Sequence, residues 1–195
     1  MKKCYENGIA HFLEHKLFEL EDGQDVSELF TNAGANSNAF TTFDKTCFYF
    51  STIDHLNENL DLLQHFVADT AFTDESIERE KSIISQEIDM YQDDADYRLY
   101  QGILENLYPQ TALAQDIAGT QESIANISVV DLKENHDVFY SPQEMTLLVV
   151  GNFDKEDIFK QIQESQKEKI RQLIILSDKN WITNLLCRRH LFKWK

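Results

Sequence analysis

From Asn57 to Phe72 the apolar residues Leu60, Leu63, Phe66, Val67 and Ala71 recur at helical spacing, which predicts an amphipathic helix packed on a sheet. The period differs just upstream. Residues 38–42 and 46–52 are rich in threonine and aromatics and are separated by Phe43, Asp44 and Lys45, so this stretch reads as a β-hairpin. Before it, Val26 to Phe30 predicts a short helix leading to Gly34, and Glu21, Asp22 and Gly23 form a charged break. Residues 8–19 supply alanine, leucine, glutamate and lysine, which allow a helix.

Downstream, Thr73 or Asp74 is a candidate N-cap, with acids in the following turn, for a helix whose body runs from Ile77 to Met90. Ile77, Ile84 and Ile88 define one face of it, and Glu80 and Glu87, two turns apart, share another. Residues 92–96 are acidic and read as a helix end or loop. They lack the spaced ligands and central glycine of a calcium loop, so solvated charge is the simpler reading. Tyr97 to Tyr108 reads as a helix ended by Pro109, and Thr120 is a candidate N-cap. A helix over 129–139 stops before Pro142, Met145 to Gly151 is a buried-strand pattern, and Asp154 begins a further helix. The fold class these elements predict is α+β in two layers, helices packed on a mixed, largely antiparallel sheet.

Composition narrows the function classes. The chain has 195 residues, 42% hydrophobic and 27% charged, as in an ordinary globular protein with one good-sized core. Two prolines and six glycines favour helix-rich structure. A net charge of −16 argues against nucleic-acid binding, because phosphate contacts need clustered lysine and arginine. It is compatible with basic substrates, although a solvated acidic surface is the simpler explanation. Cys4, Cys47 and Cys187 are odd in number and widely spaced, which reads as reduced thiols of an intracellular, cytoplasmic protein. No apolar run is long enough for a membrane span, and the N-terminus lacks the apolar stretch of a signal peptide.

The candidate chemistry lies near the N-terminus. If residues 8–19 are helical, His11 and His15 stand one turn apart on one face, where two imidazoles can share a metal. Glu14 borders the same place. Zinc takes neutral imidazole nitrogens, and a hydrolytic site keeps one position open for water. A carboxylate beside that water can take its proton and pass it on to a leaving amine. The pattern is His-x-x-Glu-His, the inverted order of the commoner metalloprotease motif. Two histidines on one turn also occur as plain surface residues, and an acidic helix face is usually just solvated. A third ligand is what tips the balance, and either Glu80 or Glu87 can supply it, with the other orienting the site.

Residues 8–19, 35–41 and 78–90, in that order, resemble the insulinase/pitrilysin family of inverzincin metallopeptidases, with the nearest likeness to bacterial processing-peptidase-like members. The likeness runs from about Asn7 to Gln161. The resemblance implies a zinc site of His11, His15 and Glu87, Glu14 as the base that activates water, and Glu80 as an accessory acidic residue. It also implies that Asn38 and Ala39 lie on an edge strand that docks a peptide substrate. On this reading residues 1–125 form the metallopeptidase segment and 126–162 begin the family's second conserved segment. Residues 163–195 are a divergent basic tail, most simply the product of a break in the reading frame.

Family members begin with further strands and continue into a second, similar domain that closes the substrate chamber. The chain is therefore expected to be a piece cut at both ends, a zinc metalloendopeptidase domain with little activity alone. A homologous partner chain would complete the chamber. The rival expectation is a non-catalytic partner subunit or degenerate remnant.

Overall fold

The computed structural model describes residues 5–20, 23–141 and 143–165 in full and residues 172–177 as backbone. Cys4, Pro142 and Cys187, and most of the basic tail, lie outside the described residues. In chain order the elements are α1 (Ile9–Leu17), α2 (Val26–Asn32), β1 (Ala35–Thr41), β2 (Thr46–Thr52), α3 (Leu56–Ala68), α4 (Asp74–Asp93), α5 (Ala95–Leu107), α6 (Gln121–Asn126), α7 (Val129–Phe139), β3 (Thr146–Gly151), α8 (Lys155–Ser165) and β4 (Gln172–Ser177). The fold is mixed α and β, as the sequence pattern predicts. The strands form two separate pairs among the described residues: β1 and β2 antiparallel, β3 and β4 parallel.

The main core forms where α1, α2 and α3 cover one face of the hairpin, with α4 and α7 packed on α1 and α6 on α4. Phe12, Leu13, Val26 and Phe30 are fully buried there with Ile84 and Leu132, and Phe66 joins them. Phe30 stacks on Phe50 at 5.5 Å and meets Phe66 edge-on at 5.9 Å, tying α2 and α3 to the strand face. The predicted isoleucine face of α4, Ile77, Ile84 and Ile88, is buried. Thr73 caps that helix reciprocally with Ser76, and Thr120 with Ser123 does the same for α6.

The acidic stretch 92–96 is a helix end, the first of the two alternatives. Gln92 and Asp93 complete α4, and Asp94 is at once the end of α4 and the N-cap of α5, its Oδ1 accepting the N–H groups of Asp96 at 2.8 Å and Tyr97 at 3.0 Å. Among the described residues, the segment predicted to be a buried strand is covered on one side only. Val149 packs with Leu60, Ile158 and Ile162, while Leu148 and Val150 are exposed. An unbroken apolar run does not reveal how many of its faces are covered. The apolar residues Leu99, Ile103 and Leu107 of α5 likewise face outwards.

Two close contacts fix α1. Gly8 precedes it with φ +86°, and a Cβ there would lie 2.5 Å from the Ala118 carbonyl oxygen. Across the same contact, a Cβ on Gly119, at φ +81°, would lie 2.5 Å from the carbonyl oxygen of Asn7. At the other end Lys16 is buried and donates to Glu19, whose second oxygen takes Arg79 of α4 at 2.7 Å. Burial alone would raise the Glu19 carboxyl, but the hydrogen bond and charge of Lys16, with Arg79, hold it below its ordinary value.

Candidate metal centre

Helical spacing places His11, Glu14 and His15 on the side of α1 that faces α4, and Glu80 and Glu87 of α4 reach the same place. The two imidazoles meet edge to face at 4.6 Å. Glu87 Oε2 lies 3.7 Å from His11 Nε2 and 3.5 Å from His15 Nε2. These separations are too long for hydrogen bonds. They approach the ligand-to-ligand edge of a tetrahedron with zinc bonds near 2.0 Å, roughly 3.3 Å. One donor atom from each of His11, His15 and Glu87 falls within 4.8 Å of the others, and they are the one such group among the described residues.

Glu80 does something different. Its Oε1 lies 2.9 Å from His15 Nδ1, so a proton on Nδ1 is donated to the carboxylate and Nε2 is left with its lone pair towards Glu87. His11 has no such partner: its Nδ1 is buried without a hydrogen bond, and its Nε2 faces Glu87 across 3.7 Å. The Nε2 atoms of both imidazoles face one carboxylate oxygen with no hydrogen bond between them, and two imidazoles with one carboxylate are a donor set that fits zinc.

Burial and the neighbouring His15 push the His11 imidazolium down, against the pull of Glu87, Asp116 and Glu80. Burial would lower His15 as well, yet the hydrogen bond and charge of Glu80, with Glu87 and Glu14, raise it. Glu14, 9% exposed, has its carboxyl raised by burial, a shift that the hydrogen bond from Thr41 opposes. A raised carboxyl is the direction a general base working near neutrality requires.

Sequence reasoning did not find Thr41. Its hydroxyl sits at the end of β1, donates to Glu14 Oε2 and meets the Thr46 hydroxyl at 3.1 Å. Nor did it find Tyr91, whose hydroxyl donates to Glu87 Oε1 at 2.7 Å. The spacing of Glu87 and Tyr91, four residues on one helix, was the available signal. That hydrogen bond, with burial, pushes the Tyr91 phenol up to about 12, so it is a donor at all ordinary pH.

Asn38 and Ala39 lie on β1, opposite Tyr49 and Phe48 of β2. Among the described residues β1 pairs with β2 alone, so its other edge has no strand partner. The Asn38 side chain accepts the N–H of Ala39 at 2.8 Å. Cys47 of β2 is a free, half-buried thiol. No helix among the described residues is long and apolar enough to cross a membrane.

Comparison with known proteins matches residues 2–121 to the model described as insulinase, peptidase family M16, and residues 126–180 to the one described as peptidase M16 inactive domain. The chain is 48% identical over 163 residues to the uncharacterized zinc protease YmfH of Bacillus subtilis, covering 84% of this chain and 38% of that protein. It is 31% identical over 150 residues to the uncharacterized zinc protease YmxG of the same organism, covering 75% and 37%. Among solved structures, an M16-like peptidase from Alicyclobacillus acidocaldarius superposes with a TM-score of 0.81 at 41% identity, covering 86% of this chain and 39% of that one. The chain thus spans under two-fifths of the length of these relatives.

Proposed function

Because this chain belongs to the insulinase family of M16 peptidases, we propose that it is the zinc-holding part of a metalloendopeptidase, with His11, His15 and Glu87 as ligands. The observation that supports this most is the convergence of three donor atoms, held apart at 3.5 and 3.7 Å, beside a buried carboxylate.

Zinc, when bound, supplies Lewis-acid polarisation of the scissile carbonyl and makes water a better nucleophile near neutral pH. Glu14 takes the proton from the attacking water and delivers it to the departing amine nitrogen. Thr41, donating to Oε2, holds the Glu14 carboxylate in place for both transfers. Glu80 keeps the His15 ring in the tautomer and orientation that ligation needs. The peptide substrate docks as an added strand along Asn38 and Ala39, displacing the Asn38 side chain from the Ala39 N–H.

In this reading residues 1–125 are the metallopeptidase segment, 126–162 the start of the second segment, and 163–195 a divergent tail. A homologous second half, in the same or another chain, closes the chamber, and the odd number and wide spacing of the cysteines support a cytoplasmic location. The rival reading, a non-catalytic partner subunit or degenerate remnant, retains the motif as a relic that holds no metal.

Elemental analysis of the purified monomer separates the two. About one zinc per chain, lost in His11→Ala, supports the metallopeptidase reading. A folded wild type that takes up no zinc overturns it.

A further inference from the structure

A carboxylate ligand on a helix has a nearly two-fold choice of which oxygen it turns to a metal, because its terminal torsion is broad. In Glu87 that choice is already made. Oε1 accepts the Tyr91 hydroxyl at 2.7 Å, and Oε2 is the oxygen that faces both imidazoles. We propose that Tyr91 is a positioning residue for Glu87, anchoring one oxygen so that the other is presented to the space between His11 and His15. The inference rests on the zinc reading above and extends it to a side chain that touches no metal.

A stacked ring, itself held by a chain of hydrogen bonds, keeps Tyr91 where it is. Its ring stacks on Tyr97 at 4.7 Å with the planes 16° apart. The Tyr97 hydroxyl donates to Asp116 Oδ1 at 2.8 Å, and the same oxygen accepts the N–H of Ala118 at 2.9 Å. Tyr97 is itself placed by Asp94, which takes its N–H and sets the corner between α4 and α5. Ala118 is the residue against which Gly8 starts the histidine helix. The third ligand and the two histidines are thus referred to one backbone segment by separate routes. A tyrosine needed only for packing would keep its ring on Tyr97 and have no use for its hydroxyl.

The test is a double-mutant cycle on the full 195-residue chain, read as zinc affinity by competition with a chelator. Tyr91→Phe keeps the ring and removes the hydroxyl, and should weaken zinc binding about 10-fold. In a Glu87→Ala background the same change should cost nothing more. Cobalt in place of zinc gives a second readout: the visible absorption of Tyr91→Phe should differ from that of the wild type while the metal-free proteins have the same circular dichroism.

Should Tyr91→Phe not fold, Tyr97→Leu removes the stacked ring and leaves the hydroxyl. It should lower affinity by a smaller factor, again only with Glu87 present. Unchanged affinity, or an equal loss with and without Glu87, overturns the role of Tyr91. A wild type that binds no zinc overturns the site and this inference together, whereas a wild type that binds it and a variant that binds equally well overturn Tyr91 alone.

Discussion

Gly8 and Gly119 face each other across a close backbone contact: a Cβ on either would lie 2.5 Å from a carbonyl oxygen beside the other. Both also have φ above +80°. The start of the histidine helix is therefore set by a contact that only glycine allows.

Gly8→Ala should destabilise the chain by about 2–4 kcal/mol, combining a left-handed conformation with a backbone clash. Urea denaturation checks this. Because Gly8 precedes His11 by less than one turn, zinc affinity should fall in the same variant; a stability loss under about 0.5 kcal/mol, an ordinary surface value, would refute the contact.

Glu14→Gln removes the base and leaves the ligands. Activity, measured with whatever second half completes the chamber, should drop by at least about 100-fold while zinc content stays the same. Loss of metal in this variant would count against the role given to Glu14.

Glu87→Ala should weaken zinc binding more than Glu80→Ala, because Glu87 Oε2 faces both imidazoles and Glu80 meets only the far nitrogen of His15. The Glu80 change should still cost roughly 10-fold, as loss of a hydrogen bond behind a ligand does. Chelator competition ranks them, and the reverse order would exchange their roles.

Glu19 carries a pH dependence of its own. Its carboxyl is held below the ordinary 4.5 in the folded chain by Lys16 and Arg79, against burial. It therefore stabilises the fold above that value and ceases to do so as pH falls through the lower folded value. Urea midpoints of wild type and Glu19→Gln should differ at pH 6 and converge in that acid range; a constant gap would show that Glu19 is not the titrating group.

Much of this was legible in the sequence, and for physical reasons. The threonine-rich second strand and the helix over 129–139 appear with the predicted bounds, because β-branched and aromatic runs and a proline just past a helix are local signals. His11 and His15 were readable as a pair because four residues on a helix make a face. Which carboxylate joins them was not, since Glu80 and Glu87 share one face of α4 and differ only in how far along α1 they reach. Thr41 escaped notice because its partner, Glu14, lies 27 residues away. The exposure of Leu148, Val150 and the α5 stripe escaped too, since an apolar residue carries no record of what covers it.

The site joins two helices that the chain itself connects only by a long excursion: His15 and Glu87 are 72 residues apart. A metal held between α1 and α4 is in effect a cross-link closing that excursion. By the chain-entropy argument used for disulfides, closing a loop of this length is worth about 4 kcal/mol. Chelation should therefore lower the melting temperature of the whole core and not merely empty the site.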